Sequence, residues 1–377
     1  MRRGWEVWTT RLARLIEQRV DAARGRGRAE RRVRQIVTYR GFGTTREVFV
    51  SGRVLADLPV STARAPAAWW RNLVNVYRYL ESDEVPAVRV SLQLAGTRHE
   101  AISDDEGFFR AWIAPGSELP TDRSWHDVEI AALDRLPRDD VEVRATGHVL
   151  VPQRAAELGV ISDMDDTVIR TEATRLLRML KRTLLENARM RLPFAGVAAF
   201  YRALHEGRSG TAVNPIFYVS SSPWNLYPLL TDFLEHQQIP IGPLMLRDWG
   251  ITERGVLPTS HAEHKLGVIR QIFDTYPALR FILIGDSGQE DPEIYRDVVH
   301  AYGRRVLAIY IRDVTPVLAR TTAIGRLAEE VKEAGSVLLL SDDTIAAARH
   351  AASHGWIRPE WVEQVERAVS SSAARPD

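Results

Sequence analysis

The sequence predicts an α/β domain with a parallel sheet flanked by helices, preceded by an all-β, sandwich-like domain and a basic N-terminal helix. Three observations carry this. From Leu158 onward, short apolar runs ("LGVIS", "PIFYVS", "FILIG", "RVLAIYI", "SVLLLS") alternate with helical segments, which is the pattern of a parallel sheet. Between Glu47 and Pro152 the hydrophobic period is two instead, in "VFVSGRVL", "VRVSLQL", "FFRAWI", "VEIAAL" and "VEVRATGHVLV". The first 40 residues hold twelve arginines against Glu6, Glu17, Asp21 and Glu30, a local net charge of +8.

In chain order, residues 1–40 read as an amphipathic helix and connector. Trp5, Trp8, Leu12, Leu15 and Ile16 fall on one face among arginines, and "ARGRGRAERR" follows as a flexible basic link. Residues 41–153 read as the β-domain, with one inserted helix in "WWRNLVNVYRYL". "SDDEGFF" reads as a tight turn, its aspartates serving the turn and not a metal. Residues 154–365 form the α/β domain, and the small polar tail 366–377 reads as disordered. "LLLSDDTIAAARHAA" reads as a helix capped by Ser341 or Asp342.

The composition excludes some chemistry. The chain of 377 residues has no cysteine, so disulfides, thiolate metal sites and cysteine nucleophiles are ruled out. No apolar run approaches the roughly 18 residues of a membrane span, and the beginning lacks a signal-type apolar segment, so a soluble, cytoplasmic protein is expected. Lys181, Lys265 and Lys332 are the only lysines in an arginine-dominated chain, so each marks a place where a compact ammonium is worth a question.

The chemistry begins at "GVISDMDDTVIRT", where a buried strand runs into Asp163, Asp165 and Asp166. Crowded, desolvated carboxylates call for a cation, and Mg²⁺ suits hard oxygen ligands while leaving positions for phosphate. Asp163, at the strand end, is placed to attack phosphorus and to bind the metal. Asp165, two residues on, can protonate the leaving oxygen and then activate water. Thr167 offers a hydroxyl to the loop or the phosphate.

"DMDDT" resembles the first motif, DxDx[TV], of the haloacid dehalogenase (HAD) superfamily of phosphotransferases, and the later motifs follow in order. The resemblance implies a HAD-like Rossmannoid sheet. It implies Ser220, in "IFYVSSSPWN", as a hydroxyl on the transferring phosphoryl group, with Ser221 and Ser222 as alternatives. It implies Lys265, in "HAEHKLGVIRQIF", as the neutralising cation. Asp286 and Asp291, in "FILIGDSGQED", join Asp163 and Asp165 as metal residues, although Asp291 before Pro292 also reads as a helix cap.

Whole stretches, from "SDMDDTVIRT" through "LRDWG" to "FILIGDSGQEDPEIY", are similar to the catalytic domain of actin-patch phosphatidate phosphatases. That resemblance implies Mg²⁺-dependent conversion of phosphatidate to diacylglycerol. Neither gap between motifs has room for a folded cap, so a phospholipid at a membrane surface, or a phosphoprotein or other bulky phosphoester, is the expected substrate. A non-catalytic binding protein fits worst, because every expected side chain is present. The basic start fits peripheral attachment to an anionic membrane, or packing against its own β-domain. Nucleic acid is the weakest reading, since no recognised nucleic-acid module accompanies the arginines.

Overall fold

The structure is a computed structural model describing residues 33, 35–56, 85–133, 142–164, 195–247, 261–314 and 317–373. The expected N-terminal helix and the expected helix at "WWRNLVNVYRYL" lie outside the described residues.

The first half is one hydrogen-bonded sheet of seven strands: β1 (Gln35–Gly43), β2 (Val48–Leu55), β3 (Arg89–Leu94), β4 (Thr97–Ile102), β5 (Phe108–Ile113), β6 (Trp125–Ala132) and β7 (Arg144–Leu150). Their order is β4-β3-β6-β7-β1-β2-β5, antiparallel except for the β1–β7 pair. A two-sheet sandwich was expected. Instead the sheet curls until its edge strands β4 and β5 come together, His99 bonding the Ala114 carbonyl at 2.6 Å, around a core that includes Val54, Leu92, Phe109, Val128 and Ile130. Curling covers the edges that an open sheet would leave unpaired. At the β4–β5 turn, Asp104 accepts the amides of Glu106 and Phe108, at 3.1 and 2.8 Å, so it serves the turn.

The boundary assigned at residue 40 is corrected, because β1 begins at Gln35. "QIVTYRGFG" carries a strand whose alternation is broken by a bulge. Tyr39 pairs with Ser51 and Phe42 with Phe49, so β1 spends three residues where β2 spends two. Gly41 sits in the bulge, where a Cβ would lie 2.0 Å from the Phe49 carbonyl oxygen. A side-chain period of two would turn Phe42 away from the side that Val37 and Tyr39 face. The extra residue turns it back, so all three pack on the α/β half.

That half has a sheet of six parallel strands, β8 (Gly159–Asp163), β9 (Ile216–Pro223), β10 (Leu244–Arg247), β11 (Phe281–Asp286), β12 (Val306–Arg312) and β13 (Leu338–Ser341), in the order β10-β9-β8-β11-β12-β13. Successive strand residues point to opposite faces, so both faces bury apolar side chains. Val160, Tyr218 and Ile282 meet helices α1 (Val197–Glu206), α2 (Tyr227–His236), α6 (Thr344–Ser353) and α7 (Glu360–Ala373). Ile161, Phe217 and Leu283 meet α3 (His261–Thr275), α4 (Asp291–Tyr302) and α5 (Leu318–Glu333).

Two further readings are corrected. Helix α7 runs to Ala373 and buries Val365, so residues 366–373 of the expected disordered tail are helical. Asp343, and neither Ser341 nor Asp342, caps α6, accepting the amides of Ile345 and Ala346 at 2.9 and 3.2 Å. No helix among the described residues is long and apolar enough to cross a membrane.

The curled sheet packs against the α/β half through aromatic side chains. Tyr39 lies 4.3 Å from Trp224 and 4.7 Å from Tyr227 between ring centroids, and Phe42 meets Phe217 edge-on at 5.8 Å. The Arg40 amide donates to the Tyr227 hydroxyl at 2.8 Å.

Candidate active site

The carboxyl edge of a parallel sheet is where ligands bind, because the strand ends leave loops and helix N-termini converging there. Asp163 is the last residue of β8, and Asp286 is the last of β11, its neighbour in the sheet. On the other side of β8, Asp163 pairs with Val219 of β9, so Ser220 follows directly at that edge. Asp291 opens α4, with Pro292 next, where a proline lacks no needed donor. Lys265 comes from the second turn of α3.

These residues meet in the interior. Asp163, Asp286, Asp291 and Lys265 are 1, 0, 0 and 2% exposed. Lys265 Nζ lies 2.7 Å from Asp163 Oδ1 and 2.7 Å from Asp291 Oδ1, and 3.3 Å from Gln289 Oε1. Burial alone would lower the pKa of this ammonium, but Asp163 and Asp291 outweigh it and hold it well above the ordinary lysine value. Lys265 is therefore a fixed cation. Asp291 also accepts the Asp286 amide on Oδ2 at 3.2 Å, an approach that depends on Gly285, where a Cβ would stand 2.5 Å from that oxygen. Asp286 Oδ1 accepts the amides of Gly288 and Gln289 at 2.7 and 3.1 Å, which aims its carboxylate.

The donor set fits a divalent cation. Asp163, Asp286 and Asp291 each offer an oxygen, all within 4.8 Å of one another. Three buried carboxylates against one lysine leave two negative charges in a desolvated space, and a hard dication neutralises them. Asp163 and Asp286 would hold such an ion. Asp291, expected from the sequence either as a ligand or as a cap, does not cap α4, whose N-cap is Glu290; its side chain anchors the lysine.

Ser220 is fully buried and its Oγ accepts the Ser222 amide at 3.0 Å, while Ser221 and Ser222 are buried beside it. Asp165 and Thr167 lie outside the described residues. Gln289 was missed in the sequence. Its place in "GDSGQED", between the two aspartates, was the available signal, but nothing in that spacing shows that its amide reaches Lys265.

Residues 158–313 match the model of the family described as phosphatidate phosphatase APP1, catalytic domain. Among characterised relatives, phosphatidate phosphatase APP1 of Saccharomyces cerevisiae is 34% identical over 155 residues, covering 41% of this chain and 26% of its own. An uncharacterized protein of Schizosaccharomyces pombe is 30% identical over 192 residues, covering 50% of this chain and 30% of its own. The chain thus spans less than a third of either relative. The curled β-sheet precedes the residues that match the family model. A PilB minor pilin from Streptococcus sanguinis aligns with 78% of this chain and 90% of its own at 7% identity, with a TM-score of 0.26, too low to bear on the fold.

Proposed function

We propose that the α/β half is a HAD-type, Mg²⁺-dependent phosphatase that hydrolyses a phosphomonoester through an aspartyl-phosphate, with phosphatidate as substrate and diacylglycerol as product. The observation that carries the reading is the Lys265 ammonium held 2.7 Å from both Asp163 and Asp291 at the edge where Asp286 also ends its strand. The family match over residues 158–313 supports the choice of ester.

The chemistry divides among the residues as follows. An Asp163 carboxylate oxygen attacks phosphorus, the ester oxygen departs with the pair from the broken P–O bond, and the Asp165 carboxyl gives it a proton. Water then attacks the phosphorus of the aspartyl-phosphate, surrendering a proton to Asp165, and phosphate leaves as the Asp163 carboxylate is restored. Lys265 and the Ser220 hydroxyl hold the phosphoryl oxygens, a role in which fixed donors act without reorganising. A bound Mg²⁺ supplies further neutralisation of phosphoryl charge. Thr167 offers its hydroxyl to the loop that carries Asp165 or to the phosphate.

The arginine-rich residues 1–34 favour a substrate in an anionic bilayer, reached from the cytoplasm, since each arginine near such a surface contributes up to about 1 kcal/mol. The test offers vesicles containing phosphatidate, and separately phosphopeptides, to wild type and Asp163→Asn, with and without Mg²⁺. Phosphate release from vesicles, dependent on Mg²⁺ and lost by about 10³-fold or more in the variant, is the expected result. Turnover of phosphopeptides alone would reassign the substrate to a phosphoprotein, and an active Asp163→Asn free of deamidation would end the nucleophile assignment.

A further inference from the structure

Arg320 has no place in the motifs, yet its guanidinium holds the turn that carries Asp286. It lies in the first turn of α5, where a cation meets the positive end of the helix dipole and needs a compensating reason to stay. The reason is three acceptors. Nε donates to the Ser287 carbonyl at 2.8 Å and Nη2 to the Gln289 carbonyl at 2.6 Å. Both terminal nitrogens engage the Glu293 carboxylate, Nη2 to Oε2 at 3.0 Å and Nη1 to Oε1.

The same turn points inward with its amides. Gly288 N and Gln289 N donate to Asp286 Oδ1, and the Gln289 side chain reaches Lys265 Nζ at 3.3 Å. Ser287 is tied on the far side as well, its hydroxyl donating to Asp313 Oδ1 at 2.9 Å and accepting the Val314 amide at 3.0 Å. One face of the turn thus aims a carboxylate of the dication site, and the opposite face is pinned by the planar Arg320 fork together with the bonds of Ser287.

We propose that Arg320 is a positioning residue for the divalent cation: by clamping the carbonyls of Ser287 and Gln289 it fixes the amides that orient Asp286, and through Gln289 it steadies Lys265. The inference rests on the metal-dependent reading above and deepens it. A lysine cannot replace the clamp, because a point ammonium lacks the fixed geometry that spans two carbonyls and a carboxylate. Glu293 is the anchor of the fork. Its carboxyl, which burial alone would raise, is held below its ordinary value by the bonds from Arg320.

The experiment measures Mn²⁺ binding to the full chain by electron paramagnetic resonance of the free ion, for wild type, Arg320→Ala, Arg320→Lys and Glu293→Gln, with circular dichroism as the check on folding. Arg320→Ala is expected to bind Mn²⁺ about 10-fold or more weakly, the loss typical of an outer partner of a metal ligand. Methylguanidinium should recover part of that loss, and a general loss of stability would not respond to it. Arg320→Lys should stay well short of wild type, and Glu293→Gln should show a smaller loss. A folded Arg320→Ala with wild-type Mn²⁺ affinity overturns the proposal. If that variant does not fold, wild-type affinity in Arg320→Lys does so instead. A wild-type chain that binds no Mn²⁺ fails the metal-dependent reading itself, a result distinct from equal binding by wild type and variant.

Discussion

Arg53 of the curled sheet donates from Nη1 to Asn225 Oδ1 at 2.9 Å, joining the β-domain to the segment that directly follows β9 and its serines. Arg53 is buried, its Nε donates to the Glu106 carbonyl at 2.9 Å, and its guanidinium lies 4.5 Å from the centre of the Phe108 ring. The β-domain is therefore built into the wall beside the proposed phosphate site.

Arg53→Met should destabilise the protein by about 2–3 kcal/mol, because the acceptors on Glu106 and Asn225 lose a charged donor in a buried setting. Asn225→Ala should cost less, since the guanidinium keeps the Glu106 carbonyl. Urea denaturation of the two single variants and the double variant gives the coupling, expected at about 1 kcal/mol or more. Additive effects would show that the contact does not join the two halves energetically.

Phe42→Ala tests the bulge. Phe42 is fully buried and touches Phe217 and Tyr276 of the α/β half, so truncation removes an aromatic wedge from the junction. The expected cost is about 3–5 kcal/mol in chemical denaturation. A cost near that of an exposed residue would mean that the junction re-forms without it.

Gly285→Ala should leave the backbone unstrained and displace Asp291, because the new methyl would stand 2.5 Å from Asp291 Oδ2 and 2.8 Å from its Cβ. Asp291 would then lose its bond to the Asp286 amide and its grip on Lys265. A fall of about 10- to 100-fold in metal affinity or turnover is expected, with the fold retained by circular dichroism. Unchanged metal affinity would show that Asp291 has room to spare.

Lys265→Met removes the cation and leaves three buried carboxylates, at a cost of about 3–5 kcal/mol without metal. In the wild type the raised lysine pKa keeps its contribution complete below the ordinary 10.5, to be lost only as pH rises beyond that, so Lys265 adds no slope between pH 6 and 9. In the variant the three carboxylates face no ammonium, so adding Mg²⁺ at pH 8 should recover more stability than it does in wild type. Thermal melts with and without Mg²⁺ decide it. An equal response of wild type and variant would show that the lysine charge does not balance the aspartates.

The sequence by itself determined which residues could do the chemistry. Asp163 stood out because it ends an apolar run among other aspartates, whereas Ser220, Lys265 and Asp286 were marked by the resemblance to the later motifs, each beside an apolar run whose period announces a strand or a helix. Strands such as "VFVSGRVL" were legible because local periodicity survives folding. Less was readable where long-range pairing overrides local pattern. The four-residue β10 is too short to show a period, β1 hides its strand behind a bulge, and α7 continues through "SSSA" on the strength of its packed face. Only the tertiary structure decided that one lysine bridges Asp163 and Asp291, that Gly285 admits Asp291, and that Arg320 clamps the turn holding Gln289, 31 residues away in sequence. Those relationships depend on which strands become neighbours and on how closely helices approach their ends, and no local spacing encodes distances across a sheet.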